Sequence, residues 1–186
     1  METKTRCAWC EKDDLYRNYH DNEWGKPVYD DATIFEFLIL ETFQAGLSWY
    51  TILAKRENFR QAFDQFDYYK IGNYSEEKIA SLIENPGIIR NKLKIRATVS
   101  NAQAFMKVQE EFGGFSKYIW GFVDGKPIDN KFKSLAEVPA TTPISDAMSK
   151  DLKKRGFKFT GSTVMYAHMQ STGMVNDHIT ECFTRK

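Results

Sequence analysis

The segment TIFEFLILETF (residues 33–43) is apolar at almost every position, and it restricts the fold of this chain more than any other feature. Thr33 and Glu36 have the spacing of a capping box, which predicts that a helix begins here. A helix that is apolar on nearly every face must be surrounded by other elements of the fold. The segment therefore predicts a central, buried helix, and it places the carboxylate of Glu41 in apolar surroundings.

The rest of the chain has helical periodicity almost throughout, with no repeat and no low-complexity tract. The segments predicted as helices are 47 to beyond 60, the region capped by Ser75, the run from the 85–88 turn to about 108, 114–123, 142–156, 162–172 and a short last helix across 178–182. No segment has a clear strand pattern. The expected fold is all-α and compact, and 186 residues are the length of one domain, here 1–186.

Composition excludes several classes of protein. No apolar run approaches the roughly 20 residues of a membrane span, and Met1–Arg6 is too polar for a signal peptide, so a cytoplasmic protein is expected. The odd number of cysteines, 3, argues against a disulfide framework. Residues 1–89 hold 10 Lys/Arg against 16 Asp/Glu, whereas residues 90–186 hold 16 against 9. This asymmetry indicates either a polyanionic partner on one side or a solvated lysine-rich surface.

Cysteine and histidine residues form a candidate zinc site. On a helix, His178 and Cys182 point the same way because they are spaced i and i+4, and a thiolate beside an imidazole suits zinc. The other Cys and His residues are Cys7, Cys10, His20 and His168. Cys7 and His20 would complete a Cys2His2 tetrahedron, whereas Cys10 offers a Cys-x-x-Cys alternative with Cys7. Four protein ligands would make a closed, structural site that joins the chain ends; otherwise these side chains simply lie in or near the core.

The segment ENPGIIRNKLKIRA (84–97) resembles the centre of a helix-hairpin-helix, here expected over about 78–108. In such a motif, backbone N–H groups of the turn at Gly87 face a phosphate, and basic side chains add charge. Arg90, Lys92 and Lys94 would supply that charge. The same pattern also fits an ordinary connection between two helices. A second basic cluster, KKRGFKF (153–159), is interpreted as a solvated helix end.

Glu41 and several aromatic residues form a candidate ligand pocket. A buried carboxylate without a partner is costly, and such acids are often functional. Trp49 follows Glu41 within a few turns, and NYHDNEWG (18–25) adds Tyr19 and Trp24. An acid among aromatic faces suits a flat, electron-poor or cationic ring. The alternative is that Glu41 pairs with an arginine or caps a neighbouring turn.

Six short motifs occur in order along nearly the whole chain: RCAW at 6–9, YHDNEWG at 19–25, QAGLSW at 44–49, GIIRNKLKI at 87–95, LKKRGFKFTG at 152–161 and NDH at 176–178 with Cys182. Each motif is modest alone, but together they are highly specific. On these motifs the chain resembles the bacterial 3-methyladenine DNA glycosylase I family, within the helix-hairpin-helix glycosylase superfamily.

The resemblance implies roles for individual residues. One structural Zn²⁺ per chain would be bound by Cys7, His20, His178 and Cys182, joining 1–25 to 174–186. The catalytic pocket would contain Glu41, which contacts the base, with substrate-binding residues Tyr19 and Trp49 and, around them, Trp9, Tyr16 and Trp24. The turn 45–47 would insert into DNA, with Gly46 in the turn and Leu47 at its apolar tip. Cys10 and His168 have no counterpart in the family pattern.

The activity that the resemblance implies is excision of 3-methyladenine from alkylated double-stranded DNA. The protein would act as a monomer, extrude the base, hydrolyse its N-glycosidic bond and release free 3-methyladenine. No acid one helix beyond the 84–97 hairpin is placed to serve as a catalytic aspartate. Three alternatives remain at this point: a zinc-stabilised DNA-binding protein, a small zinc hydrolase and a pocket for another purine.

Overall fold

Residues 4–185 are described by the computed structural model, and they are mostly helical. The helices are α1 (Asp14–Asn22), α2 (Asp31–Gln44), α3 (Trp49–Ala54), α4 (Arg56–Ala62), α5 (Tyr68–Ile71), α6 (Glu76–Glu84), α7 (Lys92–Phe112), α8 (Phe115–Trp120), α9 (Pro143–Lys154) and α10 (Ser162–Ser171). Strands β1 (Ile128–Asp129) and β2 (Val175–Asn176) form a short parallel pair, which the sequence did not indicate. Residues 1–3 and 186, at the ends of the predicted domain and of the predicted zinc-binding segments, lie outside the described residues.

Helix α2 is the buried central helix that the sequence predicts. All of its residues from Phe37 to Phe43 are buried, including Glu41, which is 3% exposed. The predicted capping box is wrong, because Asp30 is the N-cap and its carboxylate accepts a bond from the Thr33 amide at 2.8 Å. Glu36 instead accepts hydrogen bonds from Arg56 and from a neighbouring arginine of α4. A carboxylate at the N-cap stabilises the helix start because it satisfies a free backbone N–H.

Other helices predicted from the sequence are present in the structure, but their boundaries differ. The segment predicted as one helix from Leu47 past Arg60 is two helices, α3 and α4, that meet at Lys55. Ser75 caps α6 as predicted, and Thr142 caps α9 ahead of Pro143. The prediction of a short last helix across 178–182 is wrong, because the chain after β2 runs through turns.

The end of α2 is held by a lysine from α7. The ammonium of Lys94 donates to the carbonyls of Phe43 at 3.1 Å and Ala45 at 3.4 Å. These carbonyls lack partners within the helix, so a cation there satisfies them and complements the helix dipole. Lys94 therefore anchors the turn 45–47, and it is 6% exposed instead of facing solvent.

Backbone hydrogen bonds join the segment before α2 to the end of α10. The amide of Gly25 donates to the carbonyl of Gln170, and the amide of Val28 donates to the carbonyl of Thr172, both at 3.0 Å. Gly173 lies against the backbone of residues 26–27. These contacts bring the N-terminal and C-terminal parts of the described chain together. No helix among residues 4–185 has the length and apolarity needed to cross a membrane.

Replacing Gly173 with alanine is expected to destabilise this contact strongly. The residue has a φ of +67°, and an added Cβ would lie 2.2 Å from the carbonyl carbon of Lys26. The left-handed conformation costs an L-residue about 1–2 kcal/mol, and overlap with fixed backbone adds about 1–3 kcal/mol. The free energy of unfolding in urea should fall by about 2–5 kcal/mol.

Gly156→Ala is the matched control. Its φ is +94°, and no atom lies within 4 Å of its added Cβ, so it should lose only the conformational part. If the free energy of unfolding fell equally in the two variants, there would be no tight contact at residue 173.

Candidate active site and metal centre

One cavity of about 180 Å³ contains all of the residues predicted to surround a base. Its walls come from α1, α2, α3, α10 and the segments near Trp9 and Leu135. The lining residues are Trp9, Tyr16, Tyr19, Trp24, Glu41, Gln44, Trp49, Leu135, Ala167 and Gln170. The structure therefore brings together six side chains that are spread over 40 positions of sequence, Trp9 to Trp49.

Helix geometry places the side chains of this cavity. Tyr16 and Tyr19 are three residues apart on α1, so they lie on one face. Glu41 and Gln44 have the same spacing at the end of α2. Trp49 is the first residue of α3, whose N-cap Ser48 accepts a bond from the backbone of the first turn.

The aromatic rings form two walls. Tyr19 and Trp49 have centroids 5.6 Å apart at an angle of 47°, on the side next to Glu41. Trp9 contacts the edges of Tyr16 at 4.8 Å and Trp24 at 5.0 Å. Tilted and edge contacts of this kind are favoured between aromatic rings. The rings therefore fix one another, and the cavity keeps its shape without a ligand.

Three buried polar atoms on the cavity wall have no hydrogen-bond partner. They are the hydroxyl of Tyr19, Oε2 of Glu41 and Nε1 of Trp49. A buried polar group without a partner costs about 1–3 kcal/mol, so native proteins keep few of them. Both donors and acceptors for a polar, flat ligand are thus present on adjoining walls.

Burial changes the acidity of Glu41. Removal from water raises the pKa of its carboxyl to about 8, and the nearby hydroxyl of Ser171 opposes this only in part. Among the described residues, no cation forms an ion pair with the Glu41 carboxylate. The alternative in which Glu41 pairs with an arginine is therefore wrong. A cationic ligand would favour the charged form and lower this pKa.

A buried cluster of Cys7, His20, His178 and Cys182 lies behind the cavity, with all four ligand atoms within 4.8 Å of one another. Sγ of Cys182 is 3.5 Å from Nε2 of His20 and 3.5 Å from Nδ1 of His178, and these two nitrogens are 3.2 Å apart. Tetrahedral zinc with ordinary bond lengths requires N···N and S···N distances of about 3.3 and 3.6 Å. These three separations therefore match a tetrahedral metal site, and the group of four could hold a metal ion.

Hydrogen bonds orient both imidazoles for metal binding. Nδ1 of His20 lies 2.8 Å from the carboxylate of Asp21, and Nε2 of His178 lies 3.0 Å from the carbonyl of Trp24. Each bond places the ring proton on the outer nitrogen and leaves the inner one free, as in known metal sites. Burial lowers the pKa of His178 to about 4 and raises that of Cys7 to about 12. Without a metal, the imidazoles are therefore neutral at pH 7, and the Cys7 thiol keeps its proton.

Three further residues, Cys10, His168 and Thr184, differ in their relation to the cluster. The thiol of Cys10 donates to the carbonyl of Cys7 at 3.1 Å, so it points away from the four ligand atoms. His168 is fully buried in α10, also outside the cluster. The hydroxyl of Thr184 is 3.0 Å from Sγ of Cys182 and 2.9 Å from Nδ1 of His178, where it can donate to either.

The cluster and the cavity share a wall. His20 follows Tyr19 directly, and its ring lies 5.3 Å from Trp9. The ring of Trp24 lies 4.6 Å from that of His178. Order at the cluster therefore fixes three of the aromatic side chains of the cavity.

The predicted DNA-contacting residues occupy different environments. Leu47 is 40% exposed, and Gly46 before it has a φ of +80°. Arg90 is exposed between α6 and α7, and Lys92 is exposed as the first residue of α7. The amide of Gly87 donates to the side chain of Asn85, so this donor is occupied within the protein. Lys94 is buried on the turn 45–47, as described above.

A second cavity, of about 220 Å³, adjoins the first. Its lining residues are Glu41, Gln44, Ala45, Gly46, Leu47, Thr163, Val164 and Ala167. Sequence reasoning missed the part of both cavities that α10 supplies. The helix spacing of Thr163, Ala167 and Gln170 could have shown that these residues share one face, but nothing in the pattern connects that face to α2.

Glu41→Gln should change how stability depends on pH. The folded protein holds the Glu41 proton more tightly than the unfolded chain, so the free energy of unfolding is highest below the ordinary carboxyl pKa and falls as pH rises towards 8. The amide does not titrate, so the variant should exceed the wild type in stability at pH 8 and lose this advantage near pH 4. Urea denaturation across pH 4–8, with the exposed Glu84→Gln as control, measures the effect. Parallel curves for wild type and Glu41→Gln would contradict the raised pKa.

Comparison with known proteins agrees with this geometry. Residues 9–185 match the model of the methyladenine glycosylase family. DNA-3-methyladenine glycosylase 1 of Escherichia coli strain K12 is 47% identical over 177 residues, 95% of each chain. A crystal structure of 3-methyladenine DNA glycosylase I superposes with a TM-score of 0.92 and 51% identity, over 96% of this chain and 98% of that one.

A second similar structure shows the structural basis of 3-methyladenine recognition by 3-methyladenine DNA glycosylase I from Staphylococcus aureus. It has a TM-score of 0.94 and 36% identity, over 97% of this chain and 96% of that one. The family match spans nearly the whole chain, and the fold agrees with solved members. The chain therefore belongs to the methyladenine glycosylase family.

Proposed function

We propose that this protein is a monomeric DNA glycosylase that excises 3-methyladenine from alkylated double-stranded DNA. The observation that supports it best is the cavity in which Tyr19, Glu41 and Trp49 each bury a polar atom without a partner. A flat ring with hydrogen-bonding edges would satisfy these atoms. Membership of the family and the 3-methyladenine recognition described for the Staphylococcus aureus protein identify that ring as the methylated base.

The chemistry of the substrate explains the composition of the cavity. Adenine alkylated at N3 in DNA carries a delocalised positive charge, so its glycosidic bond is weak and the base leaves as a neutral molecule. The π-faces of Tyr19 and Trp49 attract a cationic ring. An enzyme cannot work on this bond inside the base stack, so the nucleotide must first be extruded. With the base in the cavity, hydrolysis requires water at the sugar carbon.

Glu41 is the residue that recognises the base. The positive charge of the bound ring lowers the pKa of the carboxyl, which then loses its proton and accepts a hydrogen bond from the adenine edge. A charge-assisted bond of this kind contributes about 1.5–3 kcal/mol. Undamaged adenine is neutral, and it does not compensate the cost of ionising a buried acid. The raised pKa of Glu41 thus favours the damaged base.

DNA contacts surround the mouth of the cavities. Leu47, at the tip of the turn 45–47, inserts into the base stack where the nucleotide leaves it, and Gly46 allows the turn. The helix-hairpin-helix formed by α6 and α7 binds phosphate near Gly87 through the exposed cations Arg90 and Lys92. Lys94 acts indirectly, because its ammonium holds the turn that carries Leu47.

Base release from methylated duplex DNA tests the function. The wild-type protein should release 3-methyladenine and leave abasic sites. Glu41→Gln should reduce kcat/KM by about 10- to 150-fold, the equivalent of one charge-assisted hydrogen bond. Glu110→Gln, on an exposed part of α7, should leave the rate unchanged. Release of base at equal rates by wild type and Glu41→Gln would remove Glu41 from recognition.

We also propose that Cys7, His20, His178 and Cys182 bind one structural Zn²⁺. The distances between the ligand atoms and the two bonds that orient the imidazoles support this set. The ion would supply a rigid connection between the chain ends. With four protein ligands there is no free position for substrate, which favours a structural role over the zinc hydrolase considered from the sequence. Tyr19 and Trp24, next to the ligands, would then be held in place for the base.

Metal analysis tests the zinc site. The purified protein should contain about one zinc per chain. Cys182→Ser should lose the metal and melt at a lower temperature, because binding of a structural metal contributes directly to folding. Cys10→Ser is the matched control, since this buried thiol lies beside the cluster but outside it, and it should keep the metal. A purified wild-type protein that contains no metal and is nevertheless stably folded would contradict the proposal.

A further inference from the structure

Phe159 is an exposed aromatic residue in a strained backbone conformation. Its φ is +59°, and 39% of the residue is exposed. The other non-glycine residues with positive φ among residues 4–185 are Asp64, Gln65, Phe66 and Asp124. Phe66 is the other aromatic of this group, and it is buried. Bulky residues rarely adopt this conformation, and strain of this kind is concentrated at functional positions.

Buried polar side chains hold the residues on both sides of Phe159. The side-chain amide of Asn101 accepts a bond from the Lys158 amide at 2.8 Å and donates to the Lys158 carbonyl at 3.0 Å. The hydroxyl of Ser149 donates to the carbonyl of Thr160 at 2.6 Å. The backbone around Phe159 is thus fixed from two sides, and the ring is held outward instead of joining the core.

The Phe159 ring lies near the turn that carries Leu47. Its centroid is 6.0 Å from the ammonium of Lys94, and that ammonium lies 3.4 Å from the carbonyl of Ala45. Thr163, four residues after Phe159 in the sequence, lines the second cavity together with Leu47. Leu47 and Phe159 are therefore two exposed apolar residues on one side of the molecule. We call them the Leu47–Phe159 face.

Charge next to this face indicates the partner. Lys153 and Lys154 are exposed in the last turn of α9, and Lys158 is exposed on the connection to α10. None of the three forms an ion pair with another described residue. Unpaired lysines beside an exposed aromatic ring suit a ligand with anionic groups outside and flat or apolar groups inside. A DNA strand has this chemistry, because its phosphates bind lysine and its bases and sugars pack on rings.

We propose that Phe159 is a DNA-contacting residue, whose ring packs on the damaged strand next to the nucleotide extruded at Leu47. The inference rests on the proposed function, since it requires duplex DNA at the cavity mouth. Phe159 would be a second apolar residue, besides Leu47, that contacts the DNA. This role explains why the chain holds an aromatic residue in a conformation that glycine would adopt without strain.

Replacing Phe159 with glycine separates this role from a structural one. Glycine removes the ring and relieves the backbone strain, so the melting temperature should stay equal or rise. Affinity for a duplex that contains a tetrahydrofuran abasic analogue, measured by fluorescence anisotropy, should fall about tenfold. Binding of free 3-methyladenine should not change. Phe112→Ala is the matched control, because Phe112 is equally exposed (39%) at the opposite end of α7 from Lys94.

A second variant distinguishes the ring from the flexibility of glycine. Phe159→Ala should lose duplex affinity to the same extent as Phe159→Gly, and wild-type affinity in either folded variant would overturn the inference. The assay also separates the two proposals. If the wild type releases no 3-methyladenine, the proposed function fails; if it releases the base while Phe159→Gly binds duplex normally, the contact at Phe159 alone is wrong.

Discussion

Contact between the two ends of the described chain is the interaction on which the cavity depends. Tyr19 and Trp24 belong to the N-terminal part, whereas Gln170 and His178 belong to the C-terminal part. Backbone bonds from Gly25 and Val28 to the end of α10 align the two parts, and the Cys/His cluster lies directly behind them. A metal at this cluster would therefore stabilise the pocket without taking part in the reaction.

The cavity keeps polar groups in an environment that disfavours them. Glu41 is buried without a cation, and the Tyr19 hydroxyl and the Trp49 N–H lack partners. Each group lowers the stability of the free protein, and under the proposed function each would become favourable when a cationic, hydrogen-bonding ring enters. On that proposal, the protein gives up stability for selectivity at one site. The surrounding aromatic contacts and the central helix α2 provide the rigidity that makes this possible.

Helix α7 connects the regions assigned to DNA binding. It begins at the exposed Lys92, directly after the exposed Arg90, and its Lys94 holds the turn of Leu47. Further along the helix, Asn101 fixes the backbone on which Phe159 is strained. One rigid helix therefore sets the relative positions of three groups for which DNA contacts are proposed. A shift of this helix would move the insertion turn and the Phe159 ring together.

Local sequence determined the helical class, the buried helix around residues 33–43 and the caps at Ser75 and Thr142, because these depend on neighbouring residues. Residue types and spacing suggested a Cys/His site and a pocket around Glu41, with alternatives left open. Likeness to a known family then selected Cys7, His20, His178 and Cys182 and added Trp9 and Tyr16 to the pocket. Tertiary structure alone decided the remaining features. Lys94 lies in a basic stretch of sequence, but its ammonium is buried against backbone carbonyls at the end of α2. His178 and Cys182 come together although no helix connects them. Helix α10 supplies one wall of the cavity. Such contacts join residues far apart in the chain, and their energies depend on burial and on partners that no local window contains.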